Sequence, residues 1–213
     1  MTINTWEQFA ASFEEKNNYV VGLKDISAVK EALASFAELG NVLELGCGNG
    51  TYTESIAAAA TAIVATDLSE DMVAVTRERF NTSHHIQVEQ ADCFNLTYPD
   101  NSFDTVFMAN LLHIVPDQPA LLSECLRVLK DGGRLIVVSF TLHGMTFLNQ
   151  LALKYRYVKT YGNKSSNNAP LSPELAKTLC QQSGFQDPQA ELIGHNVKAV
   201  LLTTNKPIKD NGQ

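Results

Sequence analysis

Hydrophobic residues in this chain recur at two spacings, one typical of helices and one typical of strands. Four of them recur at intervals of three or four residues and predict an amphipathic helix over 25–38: Ile26, Val29, Leu33 and Phe36. Residues 42–45, Val-Leu-Glu-Leu, predict a short strand that leads directly into a glycine-rich loop. A nearly continuous apolar run at 103–109 predicts a strand that is buried on both faces, as in a parallel sheet.

The same two patterns alternate along the rest of the chain. Further strands are predicted at 62–66, 86–88, 135–140, 185–193 and 197–204. Helices are predicted in the alanine-rich stretch to about Ala60, after Ser69, from Asp117 to Gly132-Gly133, over 145–158, and from Ser172-Pro173 to Gly184. The turn Gly194-His195-Asn196 predicts that the last two strands form an antiparallel hairpin. The alternation predicts an α/β fold, Rossmann-like, with a mostly parallel sheet and helices on both faces.

Length and composition narrow the class of protein. The 213 residues suit a single domain over 1–205, with an N-terminal lid segment at 1–24, a lid insertion at 141–171 and a flexible tail at 206–213. The net charge of -7 disfavours DNA or bulk nucleic acid as a substrate, because phosphate binding depends on Lys and Arg. None of the four cysteines has zinc-site spacing, so no metal is expected. No signal peptide or 20-residue apolar span is evident, and we expect a cytoplasmic protein.

The glycine-rich loop lies between a predicted strand and a predicted helix, which is where α/β sheets bind ligands. Gly46 and Gly48 allow a tight turn and a close approach by a ligand, although such a loop serves NAD, FAD, S-adenosylmethionine or simple packing. Asp67 ends the second strand, 21 residues after Gly46, where a carboxylate can accept hydrogen bonds from ribose hydroxyls. Asp92 follows the third strand and suits an adenine amine. A solvated turn or a helix cap is the alternative for each acid.

Five segments in a fixed order now carry a family resemblance. They are Val42-Leu43-Glu44-Leu45-Gly46-Cys47-Gly48-Asn49-Gly50, Ala65-Thr66-Asp67-Leu68-Ser69, Ala91-Asp92, Phe103-Asp104-Thr105-Val106 and Leu126-Arg127-Val128-Leu129-Lys130-Asp131-Gly132-Gly133-Arg134-Leu135. Together they resemble the class I S-adenosylmethionine-dependent methyltransferases, in the methyltransferase type 11 branch that includes ubiquinone- and menaquinone-type enzymes. The resemblance covers roughly residues 25–204. It implies a seven-stranded sheet whose last strand is antiparallel, which the predicted hairpin fits.

The resemblance also implies a role for each residue of the predicted cofactor site. Glu44, Gly46 and Gly48 would hold the methionine end of S-adenosylmethionine, Asp67 would bind its ribose, and Leu68 and Met72 would contact its adenine ring. Asp92 and the backbone of Cys93 would bind the adenine edge, and Asn110 and Leu111 would flank the sulfonium. Cys47, between the two glycines, is counted among the cofactor-binding residues. Met72 fits the hydrophobic core equally well. Methyl transfer is an in-line displacement that needs alignment more than a nucleophilic side chain.

Candidates for a general base or an orienting group on the substrate side are His113, Tyr19 and His143. His113 follows the fourth strand, and histidine is the usual base near neutral pH; a loop histidine bonded to backbone is the alternative. Tyr19 lies in the N-terminal segment that closes over the cofactor in relatives, and ordinary helix packing is its alternative. His84 and His85 are expected at the surface.

The stretch from Gly132 to Pro173 contains no Asp or Glu, but it contains Arg134, Lys154, Arg156, Lys159 and Lys164 and three tyrosines, Tyr155, Tyr157 and Tyr161. A basic, aromatic lid favours a small-molecule methyl acceptor that is anionic, aromatic or lipid-like, or contact with a membrane surface; a solvated lid is the alternative. Three other functions stay open at this point: an NAD(P)-dependent oxidoreductase, an RNA or protein methyltransferase, and a cofactor-binding protein without catalysis. The oligomeric state is not predicted.

Overall fold

A seven-stranded sheet organises the chain. The structure is a computed structural model, and it describes residues 12–162 and 170–208. The strands are β1 (Gly40–Leu45), β2 (Ala60–Asp67), β3 (Ile86–Gln90), β4 (Phe103–Ala109), β5 (Leu129–Thr141), β6 (Gln186–Ile193) and β7 (Lys198–Asn205). Their spatial order is β3-β2-β1-β4-β5-β7-β6, and β7 alone runs antiparallel to its neighbours. The predicted fold class is therefore confirmed, including the closing hairpin.

Helices connect these strands. They are α1 (Phe13–Val21), α2 (Leu23–Ala34), α3 (Thr53–Ile56), α4 (Glu70–Arg79), α5 (Gln118–Val128), α6 (Phe147–Tyr161) and α7 (Pro173–Gln182). The predicted N-caps are confirmed: the side chains of Ser69, Asp117 and Ser172 accept hydrogen bonds from backbone N–H groups of the first helical turns. Within the described residues, no helix has the length and apolar character needed to cross a bilayer.

Three predicted helix ends differ from the structure. The helix predicted over 25–38 ends at Ala34, so Phe36 lies beyond it. The alanine-rich stretch forms only the single turn α3 and a 3₁₀ turn at Ala57–Ala59, because Ala60 already pairs with Gly40 in the sheet. The helix that begins after Asp117 ends at Val128, and Gly132-Gly133 lie within β5.

Lys206, the first residue of the tail predicted to be flexible, is instead bonded into the fold. Lys206 is buried, its N–H donates to the Gly133 carbonyl at 2.8 Å, and its carbonyl accepts from the Gly132 N–H at 3.0 Å. Its ammonium group donates to the carbonyl of Leu129 and to the side-chain oxygen of Asn101. These bonds extend β5 through both glycines. The rest of the predicted tail, 209–213, lies outside the described residues, as do 1–11 of the predicted N-terminal lid segment and Lys164.

The hydrophobic core has two layers, one on each face of the sheet. Along β4, Val106 and Met108 belong to the layer that contains α5 and α7, whereas Phe107 belongs to the layer that contains α2. All three side chains are fully buried. The apolar run at 103–109 therefore reflects a central strand covered on both faces, as predicted.

Asp25 joins the first helices to the closing hairpin. It lies in the first turn of α2 and is 3% exposed. Its carboxylate oxygens accept hydrogen bonds from three backbone N–H groups in the turn between β6 and β7. The N···O distances are 2.6 Å for His195, 3.2 Å for Asn196 and 2.9 Å for Val197. Hydrogen bonds to a charged acceptor are stronger than neutral ones, so this carboxylate fixes the position of α2 against the sheet.

We predict that Asp25→Asn lowers the free energy of unfolding by about 2–4 kcal/mol, since an amide offers one acceptor oxygen where the carboxylate offers two. Urea denaturation monitored by circular dichroism measures this change. Glu31→Gln is the matched control, because Glu31 is exposed on the same helix. Equal stability of the two variants would contradict the role given to Asp25.

Candidate active site

The glycine loop follows β1 at the carboxyl edge of the sheet. Gly46 and Gly48 have φ values of 71° and 55°, in the left-handed region that favours glycine. A Cβ at Gly46 would lie 3.3 Å from the Leu111 side chain, whereas a Cβ at Gly48 would meet nothing within 4 Å. Leu111 therefore packs beneath the loop, and the outer side of Gly48 faces open space that a ligand can approach.

Asp67 holds this loop against the end of β2. Its two carboxylate oxygens accept hydrogen bonds from the backbone N–H groups of Gly48 and Ser69, each with an N···O distance of 2.9 Å. Burial raises the pKa of this carboxyl group, and the hydrogen bonds from backbone amides oppose that change. Each oxygen keeps a lone pair for a further donor. Asp67 therefore has a structural role in addition to the ligand-binding role predicted from the sequence.

Glu44 is a buried carboxylate near Asp67. It is 1% exposed, and its Oε2 atom has no hydrogen-bond partner among the described residues. Burial, together with the charge of Asp67, raises the pKa of Glu44 to about 7; the nearby Thr53 hydroxyl opposes this increase, without forming a hydrogen bond of good geometry. A ligand that carries an ammonium group would supply the missing donor and the missing counter-charge together. The methionine end of S-adenosylmethionine fits this requirement.

Cys47 contributes to the loop through its backbone. Its N–H donates to the Thr66 carbonyl at 2.8 Å, and its side chain is buried. Burial, and then the charges of Glu44 and Asp67, raise the pKa of the thiol, which keeps it protonated.

The residues predicted to bind adenine lie at the ends of β2 and β3. The Ala91 N–H donates to the Asp67 carbonyl at 3.1 Å, which brings the Asp92 segment beside Asp67. Asp92 is exposed, and its Oδ1 atom accepts the Phe94 N–H at 2.9 Å.

The two apolar candidates on this side differ in how much surface they offer. Leu68 is 47% exposed, whereas Met72 is 3% exposed. Met72 thus offers little surface to a ligand, which favours its interpretation as a core residue. Cys93 is partly buried, and burial followed by the charge of Asp92 raises the pKa of its thiol to about 11.

Asn110 and His113 lie past β4 and are both bonded to β5. Asn110 has φ of 57°, its N–H donates to the Val138 carbonyl at 2.7 Å, and its side-chain oxygen accepts the Phe140 N–H at 3.0 Å. The His113 Nδ1 atom lies 2.6 Å from the Ser139 hydroxyl oxygen. Burial lowers the pKa of His113 to about 4, so its imidazole is neutral at physiological pH.

The remaining histidine and tyrosine candidates lie nearer to solvent. Tyr19 is 45% exposed, and its ring lies 5.7 Å from the Lys159 ammonium of α6. This contact joins α1 to α6. His143, His84 and His85 are exposed. Within 12–162 and 170–208, no cluster of three or more His, Cys, Asp or Glu side chains is arranged to hold a metal ion.

Sequence reasoning missed Tyr52. This residue is 8% exposed, and burial raises the pKa of its phenol. The side chains of Asn17 and Asn110 lie close enough to oppose that change, although no hydrogen bond of good geometry reaches the Tyr52 hydroxyl within the described residues. Tyr52 thus brings the N-terminal helix, the glycine loop and the end of β4 together. An aromatic hydroxyl two residues after Gly50 was the signal available in the sequence.

Comparisons with known proteins agree with this geometry. Residues 43–137 match a family model described as a methyltransferase domain. The demethylmenaquinone methyltransferase of Staphylococcus saprophyticus is 36% identical over 178 residues, which cover 75% of this chain and 76% of that protein. The ubiquinone/menaquinone biosynthesis C-methyltransferase of Ectopseudomonas mendocina is 28% identical over 184 residues, covering 79% of this chain and 72% of that protein.

Another relative matches over a shorter length, and a solved structure matches over the whole chain. The demethylmenaquinone methyltransferase of Clavibacter sepedonicus is 37% identical over 100 residues, which cover 47% of this chain and 41% of that protein. The structure of a SAM-dependent methyltransferase from Thermotoga maritima superposes with a TM-score of 0.71 at 24% identity, covering 96% of this chain and all of that one. The structural match concerns the fold alone.

We predict that Glu44→Gln stabilises the ligand-free protein at pH 8 and leaves its stability nearly unchanged at pH 4.5. The folded-state pKa of about 7 lies above the unfolded value near 4.5, so the free energy of unfolding falls as the pH rises between these two values. The loss is on the order of 3 kcal/mol, and the glutamine variant avoids it. Urea titrations at several pH values measure the difference.

Glu191→Gln is the control with the same change in charge, since Glu191 is exposed on β6. If the two variants gave the same dependence of stability on pH, Glu44 would not be the strained carboxylate described above.

Proposed function

The chain belongs to the class I S-adenosylmethionine-dependent methyltransferase family, and we propose that its acceptor is a small aromatic molecule of the quinone type, methylated on a ring carbon. Methyl transfer is its activity and S-adenosylmethionine its cofactor. The observation that carries the proposal is the 36% identity to a demethylmenaquinone methyltransferase across three quarters of both chains. Family membership also removes the NAD(P)-dependent oxidoreductase from consideration.

The residues of the carboxyl edge suit the three parts of the cofactor. When bound, S-adenosylmethionine supplies a methyl group made electrophilic by its sulfonium sulfur. Glu44 accepts a hydrogen bond from the ammonium group, because its Oε2 atom is buried and lacks a donor among the described residues. Asp67 accepts hydrogen bonds from the ribose hydroxyls with its remaining lone pairs, and Asp92, beside it, accepts a hydrogen bond from the adenine amine. Leu68 offers an exposed apolar surface to the adenine ring.

The side chains that line the lid suit an apolar, aromatic acceptor. The inner face of α6 presents Leu153, Tyr157 and Tyr161, which pack against a buried apolar cluster that includes Met145. Such a surface binds aromatic rings through burial and stacking more readily than it binds a polyanion. The net charge of -7 also disfavours RNA. A quinone-type ring is more consistent with these features than an RNA or protein acceptor.

His113 acts as an orienting group for a ring hydroxyl of the acceptor in this proposal. A hydroquinone carbon becomes more nucleophilic as its hydroxyl gives up a proton to water; after the methyl group is transferred, that carbon releases its own proton to water and the ring oxygen regains one. Because the pKa of His113 is lowered to about 4, the imidazole stays neutral at physiological pH and orients the hydroxyl without taking its proton. Ser139 fixes the orientation of the His113 imidazole, because its hydroxyl oxygen lies 2.6 Å from the Nδ1 atom of that side chain. Tyr19, on the α1 side of the lid, is a second candidate for orienting the acceptor.

We predict that the protein transfers labelled methyl groups from S-adenosylmethionine to the ring carbon of a chemically reduced, short-chain demethylnaphthoquinone. Mass spectrometry of the product, with the oxidised quinone, total RNA and a protein extract as parallel acceptors, measures the transfer. In the same assay His113→Gln should lower kcat by about 100-fold and leave cofactor affinity unchanged, whereas His143→Gln should change neither.

The dependence of kcat on pH should lack an inflection near 6.5, because His113 does not titrate there. Label that appears only in RNA or protein would contradict the proposed acceptor. An unchanged kcat in His113→Gln would remove His113 from the acceptor site.

A further inference from the structure

The outer face of α6 is an exposed apolar surface on an otherwise polar protein. Five of the eleven large hydrophobic residues that are exposed in the described chain lie on this one helix: Phe147, Leu148, Leu151, Tyr155 and Val158. Leu148 is 75% exposed and Phe147 is 71% exposed. The opposite face of α6 packs against α1 and against a buried apolar cluster that includes Met145, so the exposed residues form a second apolar face that the fold does not use.

The angular arrangement of the outer face is regular. With 3.6 residues per turn, its five apolar side chains fall within an arc of about 100° around the helix axis. Lys154 borders this arc on one side and Lys159 borders it on the other, and both are exposed. Long lysine side chains can lie along an apolar surface while the ammonium group reaches outward.

The charge on α6 and on the segments that flank it in sequence has a single sign. Residues 132–173 contain no Asp or Glu, although the whole chain has a net charge of -7. The acids of the neighbouring helix α1 are Glu14 and Glu15, and Glu14 is paired with Arg79 at 3.1 Å. The ring of Tyr19 lies under the ammonium group of Lys159 and is 45% exposed, so the apolar and basic surface continues onto α1.

We propose that the outer face of α6 docks on the surface of an anionic phospholipid bilayer. An amphipathic helix of this kind buries its apolar stripe at the level of the headgroups and the adjoining acyl chains, while lysines on both sides contact lipid phosphates. The face measures about 22 Å by 10 Å, which is much less than the roughly 800 Å² per partner of a stable dimer. Lysine is also depleted in the cores of protein interfaces. This proposal stands on the helix face alone and does not rest on the proposed acceptor.

Cosedimentation of the full-length protein with vesicles tests the proposal. One set contains equal parts of phosphatidylglycerol and phosphatidylcholine, and the other contains phosphatidylcholine only. The wild-type protein should bind the anionic vesicles at least about tenfold more tightly than the neutral ones, and added salt should weaken that binding.

Two variants separate the two parts of the face. The double variant Leu148→Gln/Leu151→Gln removes apolar surface without changing charge, and Lys154→Gln/Lys159→Gln removes charge without changing the apolar stripe. Each should weaken binding to anionic vesicles by about tenfold or more. Leu175→Gln/Ile208→Gln is the matched control, because both residues are exposed apolar side chains outside α6, and it should bind as the wild type does.

Three results would overturn the proposal: no sedimentation of the wild type with either vesicle, binding that Leu148→Gln/Leu151→Gln leaves unchanged, or a dimer in solution that this double variant dissociates. The last result would mean that a second copy of the chain covers the face. Affinity for S-adenosylmethionine and turnover of a water-soluble acceptor should be the same in Leu148→Gln/Leu151→Gln as in the wild type, so a failure here is distinguishable from a failure of the proposed function.

Discussion

The structure depends on two neighbouring carboxylates at the carboxyl edge of a parallel sheet. Glu44 and Asp67 end the adjacent strands β1 and β2, and within the described residues neither forms an ion pair with a lysine or arginine. Asp67 is satisfied by two backbone N–H groups, one of them from the glycine loop. Glu44 keeps a buried oxygen without a donor, which raises its pKa to about 7. The loop geometry and the electrostatics of the site follow from this pair, and they are the basis of the proposed binding of a ligand that carries an ammonium group.

Asp25 shows how the same fold treats a buried carboxylate that has only a structural role. It accepts three hydrogen bonds from backbone N–H groups of the closing hairpin, and these bonds offset the free-energy cost of burying its carboxylate. The buried Oε2 atom of Glu44 has no such hydrogen bonds within the described residues. The sheet nevertheless holds Glu44 in place, because its neighbours in β1, Leu43 and Leu45, are fully buried. A group that destabilises the free protein and is relieved by a ligand is typical of a binding site rather than of a core.

The parts of the fold and site that followed from the sequence are those set by local pattern. The apolar run of β4, the caps at Ser69 and Asp117, the closing hairpin and the positions of Glu44, Asp67 and Asp92 at strand ends belong to this group. Features that depend on distant pairing were missed. Gly132-Gly133 join β5 only because Lys206 returns beside them, and Tyr52 meets Asn17 and Asn110 only after folding. The outer face of α6 was also hidden in the sequence, because two apolar faces on one helix cannot be told apart without the sheet beneath it.

Titration calorimetry of the purified protein with S-adenosylmethionine at pH 6 and pH 8, in buffers of different ionisation enthalpy, tests the central claim most directly. Binding at pH 6 should release close to one proton, because Glu44 must ionise to accept the ammonium group, and binding at pH 8 should release almost none. Glu44→Gln should abolish the proton release and weaken binding by about tenfold or more. Binding of equal affinity at both pH values with no proton release in the wild type, or tight binding of NAD in place of S-adenosylmethionine, would contradict the account.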